Sequence, residues 1–148
     1  MREGKTNYRT RLRLLSSGKP RFVVRRKLNN MVAQVVAYGP AGDTVAVAST
    51  TQELKKYGWS RGGGNTPASY LAGLLLGRKA LKAGVKEAVF DRGRFSGERV
   101  YAALKGAVDS GFKIPHSAEI FPKEERISGK HIKAEKEFEG AKKRILEN

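Results

Sequence analysis

Cysteine is absent from this chain. That removes disulfides, cysteine-based zinc sites and thiol nucleophiles together. Long apolar runs are lacking too: the most apolar stretch, "YLAGLLLG", is far shorter than the roughly 20 residues that cross a bilayer. The opening residues "MREGKTNYRTRLR" carry charge but no apolar h-region, so no secretory signal is expected and the sequence reads as soluble and intracellular. Acidic residues are scarce beside basic ones: 14 Asp plus Glu face 30 Lys plus Arg, a formal net charge of +16. Solubility needs far less, and the excess costs self-repulsion. The balance points to a polyanionic partner, nucleic acid ahead of an anionic membrane. A length of 148 residues, 39% of them hydrophobic, accommodates one domain with a modest core.

What is present is unevenly placed. Residues 1–30 hold ten Lys/Arg and one acid, a local +9, against +4 for residues 31–90 and +3 for residues 91–148. In the arm, residues 1–19, Arg9, Arg11 and Arg13 alternate with Thr10, Leu12 and Leu14 ahead of the turn signal "SSGKP". A solvated tail would have no use for Leu12, Leu14 and Leu15. An arm that orders on RNA accounts for both the cations and the leucines.

After Pro20 the pattern predicts strands over 22–27, 31–38 and 44–50, an antiparallel meander, with Asn29-Asn30 as a two-residue turn between the first pair. That turn would set Arg25 opposite Gln34, Lys27 opposite Val32, Val24 opposite Val35 and Arg26 opposite Ala33. Apolar pairs would then anchor the hairpin base while its tip projects charge. Asn65 or Thr66 caps a helix with Pro67 in its first turn, running to about Ala83 with Leu71, Leu74, Leu75 and Leu81 as its stripe. Gly73 and Gly77 read as a packing device. "VKEAVFD" (85–91) predicts a buried strand, parallel to the third strand or to a neighbour of it. Ser96 caps a second helix, 97–110, with Val100, Leu104, Ala107 and Val108 inward and Gly111 ending it.

The fold class expected is α/β (α+β) in the order βββαβα: a mixed, mostly antiparallel sheet with helices packed against it over residues 20–114. Residues 115–148 form a charged extension, helical over roughly 130–146, solvated or docked on a partner and with no core of its own.

Catalytic readings find little support. "GGGN" precedes a helix, and helix N-termini bind anions, yet the GxxxxGK[ST] pattern is absent. A basic, metal-dependent nuclease or RNA-processing factor is the rival reading, and it would need converging carboxylates. Among Asp43, Glu53, Glu87, Asp91, Glu98 and Asp109, only Asp91 sits at a strand end, and Arg92 and Arg94 beside it offset the charge a metal needs. His116 and His131 have no companion acids and read as surface or RNA-contacting residues. No catalytic residue, metal site or cofactor is therefore expected. Tyr57 and Trp59 in "KKYGWSRGGG" lie among cations, as rings that stack on unpaired bases do. Trp59 capping the core is the equal alternative.

The stretches "YRTRLRLLSSGKPRFVVRRKLNNMVAQVV", "YGWSRGGGNTPASYLAGLLLGRKAL" and "GAVDSGFKIPHS", the last followed by "ERISGKHI", resemble the universal large-subunit ribosomal protein family L-eighteen of archaeal/eukaryotic type. The resemblance spans residues 2 to about 132. It implies a βββαβα domain without catalysis that binds 5S rRNA and helps attach it to 23S rRNA in the central protuberance, beside neighbouring large-subunit proteins of the cytoplasmic ribosome. It implies no membrane or small-molecule partner. It carries RNA-binding roles to Arg9, Arg11 and Arg13, to Arg21, Arg25, Arg26, Lys27, Asn29 and Asn30, and to Arg61 with the Gly62–Gly64 loop. Arg2, Lys5, Lys19, Arg92, Arg94, Tyr57 and Trp59 complete the candidate RNA-binding set.

Overall fold

The computed structural model describes residues 20–27, 29–39, 42–60, 62–91, 98–114, 127 and 135–147. Three strands come first: β1 (Arg21–Arg26), β2 (Met31–Gly39) and β3 (Gly42–Thr50). A 3-10 segment (Thr51–Tyr57) leads to helix α1 (Thr66–Lys82), short strand β4 (Val89–Asp91), helix α2 (Glu98–Asp109) and helix α3 (Glu135–Glu147). The four strands lie in the order β3-β2-β1-β4, with β1–β2 and β2–β3 antiparallel and β1–β4 parallel. The mixed sheet with helices packed against it is the fold class expected.

Two details of the sheet differ from expectation. β4 is only three residues long and adds beside β1, at the edge away from β3. Helix α1 packs on β3 and β2, so the crossover carries the chain across the face of the meander to the far side of β1. Next to β4, the backbone of Lys113 pairs with residues 86–88 through Ala88 N to Lys113 O (3.0 Å) and Lys113 N to Lys86 O (3.2 Å). The hairpin register is the second difference: Val24 pairs with Ala33, Arg25 with Val32 and Arg26 with Met31. Residues 27–30 form the turn, two residues more than Asn29-Asn30 alone. A shift by two preserves which face each side chain occupies, because strand side chains alternate. The apolar positions predicted to anchor the hairpin therefore still reach the core.

That core has two parts. Phe22, Val24, Met31, Ala33 and Val35 from the sheet meet Leu76 and Ala80 of α1, Val100, Ala103, Leu104 and Ala107 of α2, and Phe112 and Ile114 beyond it. The second part joins Leu54 and Trp59 to Tyr70, Leu71, Leu74 and Leu75 of α1 and to Phe138, Ala141 and Ile145 of α3. Helix α1 is thus enclosed by the sheet, α2 and α3, and is apolar nearly all round instead of along one stripe. Asn65 caps it, its Oδ1 accepting from Ala68 N at 2.9 Å. Helix α3 leaves most of its residues exposed but docks on this chain's own α1: its three buried residues, spaced three and four apart, fall on one face and join the second core.

Helices α1 and α2 approach through glycines. A Cβ on Gly73 would overlap the backbone carbonyl of Ala103, and one on Gly106 would overlap that of Tyr70. The obstacle is backbone, which cannot swing aside, so Gly73→Ala should force the helices apart. Overpacking of this kind costs about 1–3 kcal/mol, which outweighs the helix-propensity gain of about 1 kcal/mol. Gly140 in α3 has open space around it, so Gly140→Ala keeps the gain alone. Thermal melting should show a lower midpoint for Gly73→Ala and a raised one for Gly140→Ala. A raised midpoint for both would refute close packing of α1 on α2.

Candidate nucleic-acid interface

The hairpin tip is built by hydrogen bonds reaching beyond the hairpin. Lys27 N donates to Asn30 O at 2.9 Å, closing the turn. Thr51, the first residue after β3, is buried at the tip's base. Its Oγ1 accepts from Met31 N at 3.1 Å and donates to Asn30 Oδ1 at 3.3 Å. The Asn30 side chain is therefore committed to holding the tip, while Lys27 and Asn29 project into solvent. Arg25 is half-buried, with Nη1 donating to Val24 O at 3.0 Å. Arg21 is only 6% exposed. Of Arg26 the backbone pairing is described: it closes the hairpin opposite Met31.

The glycine loop folds onto this tip. Gly58 and Gly62 take positive φ values, 91° and 83°, that favour glycine. Trp59 Nε1 donates to Gly62 O at 2.8 Å, and its ring is 2% exposed within the second core. This decides between the two readings of Trp59. The ring is enclosed and has no face to offer a base, because its indole buries a large apolar area that solvent exposure would forfeit. Tyr57 is half-buried against the same core. Farther along the loop, a Cβ on Gly63 would meet Thr51 Oγ1, Asn30 Oδ1 (2.8 Å) and Asn29 O (2.9 Å). Two segments about thirty residues apart in the chain, each a candidate contact, are thereby brought into one surface.

Arg99 in the first turn of α2 joins that surface, its Nη1 donating to Gly64 O at 3.0 Å. Its 35-residue separation from Gly64 left no trace in the sequence pattern. Lys55 and Lys56 are exposed on the 3-10 segment that begins at Thr51. Arg2, Lys5, Arg9, Arg11, Arg13, Lys19, Arg61, Arg92 and Arg94 lie outside the described residues.

Two of the six carboxylates named in the rival reading, Glu53 and Asp109, are engaged in pairings of their own, and the side chains of Asp43 and Asp91 lie outside those described. Glu53 pairs with Lys79 at 2.5 Å, and Lys79 also donates to Ala48 O at 3.0 Å. Asp109 accepts from Tyr70 Oη at 2.5 Å and from Lys105 at 3.1 Å. Among the described residues no three His, Asp or Glu side chains come together as a metal site would need.

What remains is a basic surface of turn and loop backbone, cations and amide groups. A model of the family described as ribosomal large subunit proteins 60S L5 and 50S L18 matches residues 1–94. The match takes in the sheet, the hairpin tip, the glycine loop and α1, and stops before α2. Covering well over half of the sequence, from the basic end through both halves of the interface, it makes this chain a member of that family of large-subunit ribosomal proteins.

Proposed function

We propose that the chain binds 5S rRNA and helps attach it to 23S rRNA in the central protuberance, next to other large-subunit proteins of the cytoplasmic ribosome. The observation that carries this reading is the junction at Gly63, where loop and hairpin tip adjoin as one surface. Lys27 and Asn29 are exposed on the tip side of the junction, and Lys55 and Lys56 are exposed on the 3-10 segment that begins at Thr51. Backbone and amide donors beside cations suit the phosphates and unpaired bases of a folded RNA. The chain's formal net charge of +16 favours a polyanionic partner in general. The role is structural: the chain holds RNA and performs no reaction on it.

Gly63→Val tests the reading. The added side chain must push the loop off Asn29, Asn30 and Thr51, while the core, which contains neither Gly63 nor its neighbours, keeps its packing. Affinity for 5S rRNA should fall about tenfold, equivalent to roughly 1.4 kcal/mol, with the far-ultraviolet circular dichroism unchanged. Unchanged affinity would count against the interface. Magnesium-dependent cleavage of the RNA by the wild-type chain would instead establish the nuclease.

A further inference from the structure

Helix α3 lies outside the stretch that matches the family, yet it touches the glycine loop at several points. Ser60 Oγ donates to a carboxylate oxygen of Glu137. Arg144 Nη1 donates to Tyr57 O at 3.0 Å, and its guanidinium fills the space that a Cβ on Gly58 would take. Phe138, Ala141 and Ile145 complete the core that encloses Trp59. Trp59 in turn holds Gly62 through its indole N–H. Residues 57–60 and 62 are thus secured from the α3 side, and Gly63 follows directly onto Asn29 and Asn30.

From this geometry we infer that α3 is a positioning element for RNA binding: Arg144 and Glu137 set the loop that presents the interface without themselves touching RNA. The inference rests on the proposed RNA-binding function. The physical reason is entropic. A glycine-rich loop left to itself samples many conformations, and ordering each residue on RNA costs about 1–2 kcal/mol. A loop ordered in advance by α3 avoids part of that cost on binding.

Two substitutions and two readouts test it. Arg144→Met keeps an unbranched apolar stem but removes the guanidinium that donates to Tyr57 O; Ser60→Ala removes the bond to Glu137. Trp59 is the sole tryptophan, so its emission reports the loop directly, without RNA. Positioning predicts a red-shifted Trp59 emission and an affinity for 5S rRNA about three- to tenfold lower in both variants. It also predicts an unchanged slope of log affinity against log salt, because no phosphate contact is lost. Arg144→Lys, which retains a donor, should recover part of the affinity. A slope reduced by about 0.9 in Arg144→Met would make Arg144 a phosphate ligand and overturn the inference. Unchanged emission and affinity would overturn it as well. Should the wild-type chain fail to bind 5S rRNA, the proposed function falls and the RNA role of α3 with it. Trp59 emission would still show whether α3 holds the loop.

Discussion

Val24→Asp should abolish the cooperative melting transition. Val24 is fully buried in β1, the strand flanked by β2 on one side and β4 on the other. Its neighbours in the core are apolar, among them Phe22, Met31 and Ala33 of the sheet and Leu76 of α1. A carboxylate there either stays charged without a partner or takes up a proton and still lacks hydrogen bonds. Either way the cost is several kcal/mol, against a total stability of about 5–15 kcal/mol for a domain this size. Lys27→Ser, three residues along on the exposed tip, provides the contrast. The turn is closed by the backbone of Lys27, so the serine variant should melt like the wild type while binding RNA more weakly. Equal losses of melting temperature in the two variants would show that base and tip do not divide anchoring from recognition.

The largest effect on binding is expected from the arm. Each duplex phosphate neutralised contributes about −0.9 to the slope of log affinity against log salt. Residues 1–13 carry Arg2, Lys5, Arg9, Arg11 and Arg13, offset by Glu3. With three to five of these cations on phosphates, a chain beginning at Ser16 should show a slope flatter by roughly 3–4 units. Over a fourfold rise in salt that difference amounts to roughly a hundredfold in affinity. The shortened chain should still melt cooperatively, since it keeps every core residue among those described, the first being Phe22. Affinity should fall most for 5S rRNA and least for an unrelated duplex, because an arm with leucines at 12, 14 and 15 follows one RNA surface. An equal slope in both chains would make the arm a solvated tail and leave recognition to the hairpin tip and glycine loop.

Local chemistry made much of this protein legible. The strand alternation of residues 21–50, the cap at Asn65 with Pro67, and the stop at Gly111 each depend on residues a few positions apart. The imbalance of charge, and the polyanion it calls for, is a property of composition and needs no fold. The hairpin turn shows the limit of such reading. Asn29-Asn30 satisfies a two-residue turn on local rules, but Thr51, twenty-one positions on from Asn30, takes up both the Asn30 side chain and Met31 N and fixes where β2 begins.

Long-range packing decided the rest. Trp59 among cations reads equally as a stacking platform or a core residue, and only the arrival of Leu54, α1 and α3 around it buries the ring. Phe138, Ala141 and Ile145 are sparse among the charges of the C-terminal segment, so their stripe carries little signal until α1 supplies the opposing surface. Arg99 and Gly63 likewise acquire a role through contacts with partners some twelve to thirty-five residues away. The sequence by itself determined the three-strand meander, the two helices that follow it, the core positions of the sheet and the need for a polyanionic partner, because propensity, periodicity and composition act locally. The tertiary structure alone decided how tip and loop form one surface and how α3 packs behind the loop, because close packing joins residues whose separation along the chain leaves no mark in the pattern.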